Sequence, residues 1–343
     1  MIQTRPDPTH APKVTIAIPT FNREGYLQQA IDSALAQSYA NIEVLVSDNA
    51  STDGTAALLQ RFSDPRVRVL RQAQNIGMMP NWNACLNAAS GLYFIMLSDD
   101  DLLDPGAIDA MVAMFEDSCH RGAGVAEDQV GVVYAHARII DETGASTAKG
   151  KRAPLWETAE QAVAAFFHAE RHTFPCSILL RTEDAFELGG YDARNYSLVA
   201  DAQMWMKVAF KRGMVGFVDR TLVSYRVHAV STTKTVRIQE WMSNNAALAA
   251  FCQQALAARG NTALAQAIGR QVRHFNAGAA AALLEGSADS APGRFIRFLK
   301  LSGNFLSLDS APRVATLALK MILPAQLKQV AKAAVRAGKV QPK

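Results

Sequence analysis

Residues 13–23, KVTIAIPTFNR, set the reading of the whole chain. A short β-branched apolar run ends at Pro19, a polar loop follows, and apolar positions then recur at Leu27, Ala30, Ile31, Ala34 and Leu35. That change of period, from a buried run to helical spacing, predicts a strand over Lys13 to Ile18, a loop, and an amphipathic helix over Glu24 to Gln37. The unit recurs. Ile42 to Ser47 precedes a polar loop and a helix near Gly54 to Phe62. Val67 to Leu70 precedes a loop and a helix near Pro80 to Ala89. Tyr93 to Leu97 runs into Asp99-Asp100-Asp101. Strands alternating with helices at this spacing imply an α/β class with a mainly parallel, Rossmann-like sheet covered by helices on both faces. In such sheets ligands bind beyond the carboxyl ends of the strands, so the loops after Ile18, Ser47, Leu70 and Leu97 are expected to converge on one crevice.

A second block, from Val130 to about His228, reads as strands over 130–140, 176–181, 214–218 and 222–227, with helices near 157–169 and 202–211 and a turn at Gly189-Gly190. Beyond Thr235 the chain is helical and alanine-rich, with breaks at 259–261, 285–293 and Pro324.

Composition limits the function classes. The 343 residues are 49% hydrophobic and 19% charged, which excludes general disorder. Cys85, Cys119, Cys176 and Cys252 are scattered without a C-x-x-C pair, so neither a disulfide scaffold nor a cysteine-built zinc site is expected, and a reducing cytoplasmic compartment fits best. The first residues carry no apolar signal segment, and no apolar stretch reaches the length of a membrane span. Charge is divided unevenly. From Ala291 onward ten basic residues face one acid, Asp309, a net +9, which leaves −5 on the rest. A basic tail on an acidic body points to an anionic surface.

The strand ends carry the chemistry: Pro19-Thr20-Phe21-Asn22-Arg23, then Asp48-Asn49-Ala50-Ser51-Thr52-Asp53, then Asn75-Ile76-Gly77, then Ser98-Asp99-Asp100-Asp101. Taken singly, Ser51 or Asp53 is an ordinary helix cap, and Asn75 with Gly77 an ordinary turn. Three adjacent carboxylates after an apolar strand read either as solvated loop acids or as a site for a hard cation, Mg2+ or Mn2+, bridging one or two of them to nucleotide phosphates. No dinucleotide-binding G-x-G-x-x-G and no P-loop follows any strand.

VTIAIPTFNR, IEVLVSDNASTDGT, NIG and GLYFIMLSDDD, in that order, resemble the nucleotide-sugar half of glycosyltransferase family 2, inverting enzymes of the GT-A fold. The likeness extends through Leu188-Gly189-Gly190-Tyr191-Asp192, Ala200-Asp201-Ala202-Gln203-Met204-Trp205 and Tyr225-Arg226-Val227-His228. The resemblance covers roughly residues 13–232 and implies a GT-A catalytic domain (13–234, with a nucleotide-sugar half, 13–101, and an acceptor half, 102–234); outside it stand an N-terminus expected to be flexible (1–12) and the helical C-terminal region with a basic tail (235–343). It implies a UDP- or dTDP-sugar donor and a glycan or polyprenyl-linked acceptor in cell-surface polysaccharide synthesis. A polyprenyl-phosphate glycosyltransferase and a non-catalytic nucleotide-sugar-binding scaffold are the alternatives.

Carried over by position, Pro19, Thr20, Asn22, Arg23, Asp48, Asn49, Ser51, Asn75, Gly77, Asp99, Asp100 and Arg226 would contact the nucleotide-sugar, with Asp48 accepting from N3–H of a pyrimidine. Asp99, Asp101 and His228 would hold Mn2+ or Mg2+, any of the three acids being the direct ligand. Asp201 would be the catalytic base, standing after Ala200 where the family has a Glu-Asp pair; the alternative for Asp201 is a helix cap. Arg226 and His228 flank Val227 and are expected to face the same way. The apolar and basic residues from Arg294 onward read either as packed helices or as a segment lying on anionic membrane, peripheral on the cytoplasmic face of the inner membrane. Nucleic acid is not expected as a partner, because no aromatic platform is interleaved with the basic residues.

Overall fold

The computed structural model describes residues 11–116, 125–149, 153–171, 173–228, 238–285, 290–302 and 311–322. The chain forms two compact units, Met1–Thr235 and Val236–Lys343.

The first unit is built on one ten-stranded sheet: β1 (Val14–Thr20), β2 (Ile42–Asp48), β3 (Val67–Arg71), β4 (Tyr93–Met96), β5 (Leu102–Leu103), β6 (Val130–Ile140), β7 (Ser146–Lys149), β8 (Trp156–Thr158), β9 (Ile178–Arg181) and β10 (Met214–Arg226). Their order is β3-β2-β1-β4-β9-β6-β10-β5, with β7 beside β6 and β8 beside β10. β1 pairs in parallel with β2 and β4, β2 with β3, and β6 with β10. β9 is antiparallel to both β4 and β6 and joins the two parallel groups. Seven consecutive residues of β2 are buried, as are six of the seven in β1. Because successive side chains point to opposite faces, such runs require both faces of the sheet to be covered.

The helices of this unit are α1 (Glu24–Leu35), α2 (Thr55–Leu59), α3 (Met78–Ala88), α4 (Ala107–Glu116), α5 (Ala159–Phe167), α6 (Thr182–Glu187) and α7 (Ala200–Arg212). α1 buries Leu27, Ala30, Ile31 and Ala34, the stripe read from the sequence. α3 begins at Met78, not at Pro80. Proline is tolerated there because the first-turn N–H groups of a helix have no intrahelical acceptor. The two strands expected over 214–218 and 222–227 are one strand, since register shifts around Val218 and Thr221 absorb the exposed Asp219 and Arg220 as a bulge.

α7 is anchored from its far end. The fully buried carboxylate of Asp184, on α6, accepts from Arg212 Nε at 2.7 Å and Nη2 at 2.8 Å, and pairs with Lys211 Nζ at 2.6 Å. Burial alone would raise its pKa, but these charge-assisted bonds outweigh it and hold the carboxyl below its usual value. α7 ends on Gly213, whose φ of 102° is left-handed. The opposite end, with Asp201 in the first turn, is thereby aimed.

The second unit contains α8 (Ile238–Ala258), α9 (Thr262–Glu285), α10 (Ala291–Ser302) and α11 (Ala311–Ile322). Gly260, at φ 76°, makes the first break. Met242, Ala277, Ala280, Ala281, Leu284, Phe298, Leu301, Val314 and Ala318 form its core, in which the alanines let helices approach closely. Among the described residues no helix is long and apolar enough to cross a membrane. The N-terminal residues 1–10 and the basic residues of 323–343 lie outside the described residues.

Candidate active site

β1, β2 and β3 end in one row: Thr20 is the register partner of Asp48, and Asp48 of Arg71. Paired residues of parallel strands project from the same face, so these three side chains share one patch at the carboxyl edge of the sheet. Asp48 is fully buried. Its Oδ1 accepts from the Ser51 N–H at 2.9 Å, while Oδ2 has no hydrogen-bond partner and stands 3.5 Å from Arg71 Nε.

The polar turn residues hold the loops to one another. Asn22 takes a left-handed φ of 54°, donates its N–H to Ser51 Oγ at 3.0 Å and accepts from the Thr52 N–H at 2.8 Å. Asn49 Oδ1 accepts from the Ile76 N–H at 2.9 Å, and its Nδ2 donates to Asn75 Oδ1 at 3.0 Å and to the Gly77 carbonyl at 3.3 Å. Asn75 Oδ1 also accepts from the Gly77 N–H at 2.8 Å. Asn22, Asn49, Ser51, Asn75 and Gly77 are therefore brought together as expected, but with these groups engaged as a scaffold. Pro19 lies half-buried in β1.

The acidic triplet is sorted by depth. Asp101 is fully buried, and its Oδ1 accepts from the Arg226 N–H at 2.8 Å. Asp99 is nearly buried, with Oδ1 4.0 Å from Arg23 Nε. Asp100 points Oδ2 at His228 Nε2, 2.9 Å away. Burial, then the charge of Asp100, pushes the Asp99 carboxyl up to about 7 and Asp101 well above its ordinary value.

Arg226 and His228 do face the same way, both against the Tyr26 ring, at 4.8 Å and 5.3 Å. Their roles separate there. Arg226 donates Nε to the Asp100 carbonyl, Nη1 to the carbonyls of Asp141 and Glu142, and Nη2 to Gln29 Oε1. A guanidinium spent in this way positions the triplet and is not left to grip a diphosphate. His228 remains beside Asp100, with Arg23 Nη1 3.5 Å from its Nε2.

Asp201 is half-buried in the first turn of α7, and burial pushes its carboxyl up to about 6. Its charge also raises the pKa of the neighbouring buried Tyr191, behind the larger effect of burial. Tyr191 is fastened to α3: Asn83 Oδ1 accepts its N–H and Asn83 Nδ2 donates to its carbonyl, both at 2.8 Å. Gly190 permits the contact, since it has φ 68° and a Cβ there would lie 2.4 Å from Asn83 Oδ1. α3 continues from the Asn75–Gly77 loop, so one helix ties a donor-side loop to the element beside Asp201. Asp192, the nearest other acid in sequence, caps its own turn by accepting from the N–H groups of Arg194 and Asn195 and from Asn195 Nδ2, and these bonds outweigh burial and hold it below its usual value. Sequence reasoning missed Arg71, Tyr26, Gln29 and Asn83. Only Arg71 carried a signal, its place at a strand end.

The model of the glycosyl transferase family 2 matches residues 15–169. The succinoglycan biosynthesis protein ExoO of Rhizobium meliloti is 36% identical over 129 residues, 38% of this chain and 36% of ExoO, so the match spans about a third of that protein. Among solved structures, residues 1–349 of Staphylococcus aureus TarS in complex with UDP-GlcNAc superpose with a TM-score of 0.58 at 14% identity, covering 88% of this chain and 91% of that one. The mannosyltransferase PcManGT of Pyrobaculum calidifontis, in complex with GDP-Man and Mn2+, gives 0.52 at 18% identity, over 93% and 88% of the two chains. Motif order, strand-end geometry, family model and fold agree: residues 15–169 match glycosyl transferase family 2, and the chain has the GT-A fold of the solved neighbours.

Proposed function

We propose that the chain is an inverting glycosyltransferase that moves a sugar from a UDP- or dTDP-sugar to a hydroxyl of a glycan or polyprenyl-linked acceptor in cell-surface polysaccharide synthesis. One observation carries this reading: the buried Oδ2 of Asp48 has no hydrogen-bond partner at the edge of the sheet where α/β ligands bind. A buried acceptor left unmade costs about 1–3 kcal/mol. The N3–H of uracil or thymine would satisfy it. Asp48→Ala is expected to raise the Kd for UDP by about one to two powers of ten, the scale of a charge-assisted bond. Calorimetric titration checks it, and an unchanged Kd removes the base-binding role.

The residues fit a divalent cation. Among the described residues no group of three or more His, Cys, Asp or Glu is arranged to cage a metal, but Mg2+ and Mn2+ need only one or two carboxylates when substrate phosphates complete the shell. Asp100 and His228 already converge at 2.9 Å, and Asp99 adjoins Asp100 in a position where burial makes its charge costly. Asp100 and His228 would hold the ion, with Asp99 supporting. Asp101, expected as a ligand, lies deeper and instead fixes β10 through the Arg226 N–H. When bound, the ion supplies positive charge to the leaving diphosphate. The neighbour PcManGT, in complex with GDP-Man and Mn2+, supports the use of a divalent ion.

Asp201 takes the proton of the acceptor hydroxyl as that oxygen attacks the anomeric carbon, and the nucleoside diphosphate leaves from the opposite face. A carboxyl pushed up to about 6 is a stronger base than an ordinary aspartate and is still ionised at neutral pH. Arg23, a quarter exposed beside Asp99, is the cation placed to meet donor phosphate.

The similarity to a succinoglycan biosynthesis protein supports a polysaccharide role. On α10, Ile296 and Leu299 are 52% and 46% exposed next to the exposed Arg297 and Lys300, which suits an anionic membrane surface on the cytoplasmic side. Full-length protein is expected to float with anionic vesicles at low salt and to release as salt rises. No flotation at low salt would assign the face to protein packing.

A further inference from the structure

We propose that Asn83 of α3 is a positioning residue for the catalytic carboxylate: by clamping both backbone groups of Tyr191 it holds the tyrosine ring beside Asp201 and shields that carboxyl from water. The inference rests on the reading of Asp201 as the general base, and it gives control of that base to a residue of the helix that leaves the Asn75–Gly77 loop.

The clamp needs an amide. Asn83 Oδ1 accepts the Tyr191 N–H and Asn83 Nδ2 donates to the Tyr191 carbonyl, both at 2.8 Å, so one side chain pairs this backbone as a neighbouring strand would. The same helix fixes the ring. Trp82 meets it edge-on, with centroids 5.2 Å apart and planes at 86°, and Trp82 and Cys85 are both buried. From the other side Lys207 of α7 donates Nζ to the carbonyls of Leu188 and Gly190, at 3.2 Å and 3.3 Å. The turn is thus gripped by α3 at Tyr191 and by α7 just before it, and Tyr191 itself is 5% exposed.

No neighbouring charge is needed to explain the state of Asp201. Burial pushes up both the Tyr191 hydroxyl and the Cys85 thiol, the latter to about 12, so both are neutral at pH 7. Lys207 and Asp192, on the flanks of the turn, act on each other. Burial raises the Asp201 carboxyl against the opposing effect of the N–H groups of Ala202 and of Asp201 itself. An aromatic ring standing where water would solvate a carboxylate disfavours the charged form, so freeing Tyr191 admits water and lowers the pKa. A carboxylate of lower pKa is a weaker base toward the acceptor hydroxyl.

Titration of protein carrying carboxyl-13C aspartate, followed by NMR, tests the proposal, with the Asp201 resonance identified as the one missing from Asp201→Asn. In wild-type protein the Asp201 midpoint is expected at about 6. In Asn83→Leu, which keeps the branching of the side chain and removes both hydrogen bonds, it is expected to fall toward the ordinary aspartate value of about 4. The acidic limb of UDP release from UDP-sugars should move the same way. A residue that merely packs would lower thermal stability and leave the midpoint in place. Tyr191→Leu, which keeps Asn83 and removes the ring, is expected to lower the midpoint as well, and it carries the test if Asn83→Leu does not fold. An unmoved midpoint in the folded variant overturns the role of Asn83. Near-native turnover in Asp201→Asn fails the reading of Asp201 as the base and takes this inference with it; loss of turnover there, with an unmoved midpoint in Asn83→Leu, fails this inference alone.

Discussion

Asp201→Asn is expected to reduce sugar transfer by about 10²–10⁴-fold, the usual cost of losing a positioned general base, with UDP affinity and folding retained. Asparagine keeps the size and polarity of the residue in the first turn of α7 but cannot accept a proton at neutral pH. The wild-type rate should fall as pH drops through about 6, because burial raises the Asp201 pKa to that value and only the ionised form is a base. The residual rate of Asp201→Asn should lack that limb. A pH-rate profile of both proteins at saturating donor checks each point, and near-native turnover in the variant would remove Asp201 from the mechanism. Asp192 does not inherit the role readily, since its carboxylate is tied down by its own turn and held below the ordinary range.

Asp100→Asn is expected to abolish the dependence of UDP binding on Mn2+ and to weaken binding in its presence by about 10–100-fold, on the energy scale of charge-assisted contacts. Chelation of the wild-type protein by EDTA should give the same loss. Asp101→Asn should instead behave as a folding lesion, lowering thermal stability, because its carboxylate is fully buried and bonded to the Arg226 backbone. Titration calorimetry with and without Mn2+ separates the two. Equal UDP affinity in EDTA, or identical behaviour of the two variants, would contradict the assignment of the ion to Asp100 and His228.

Legibility from sequence tracked how locally each feature is determined. β1, β2, β4 and α1 were plain because burial on both faces of a strand, or along one stripe of a helix, is written in adjacent residues. β5 and β8, of two and three residues, carry no such run and exist through pairing with β10. The bulge in β10 resembles a break in the sequence for the converse reason: Asp219 and Arg220 are polar locally, but the parallel neighbour β6 continues past them.

In the site, the loops converged as their strand-end positions required, while residue roles divided in ways no spacing encodes. Asn22, Asn49 and Asn75 have side chains that serve turns and ligands equally well, and only the three-dimensional pairing assigns them to the scaffold. Asp99, Asp100 and Asp101 are chemically identical neighbours whose depths are set by Arg226 and His228, more than 120 residues away in sequence. Arg71 belongs to no turn motif, and its one mark in the sequence is its place at the end of β3.

The most direct test of the account is the release of UDP from a panel of UDP-sugars by purified protein, with Mn2+ and with EDTA. The account requires turnover of at least one UDP-sugar that is lost on chelation and lost again in Asp201→Asn, while that variant still binds UDP. Binding of UDP without turnover of any donor, in the presence of Mn2+ and of glycan acceptors, would contradict catalysis and leave a nucleotide-sugar-binding protein on the GT-A fold.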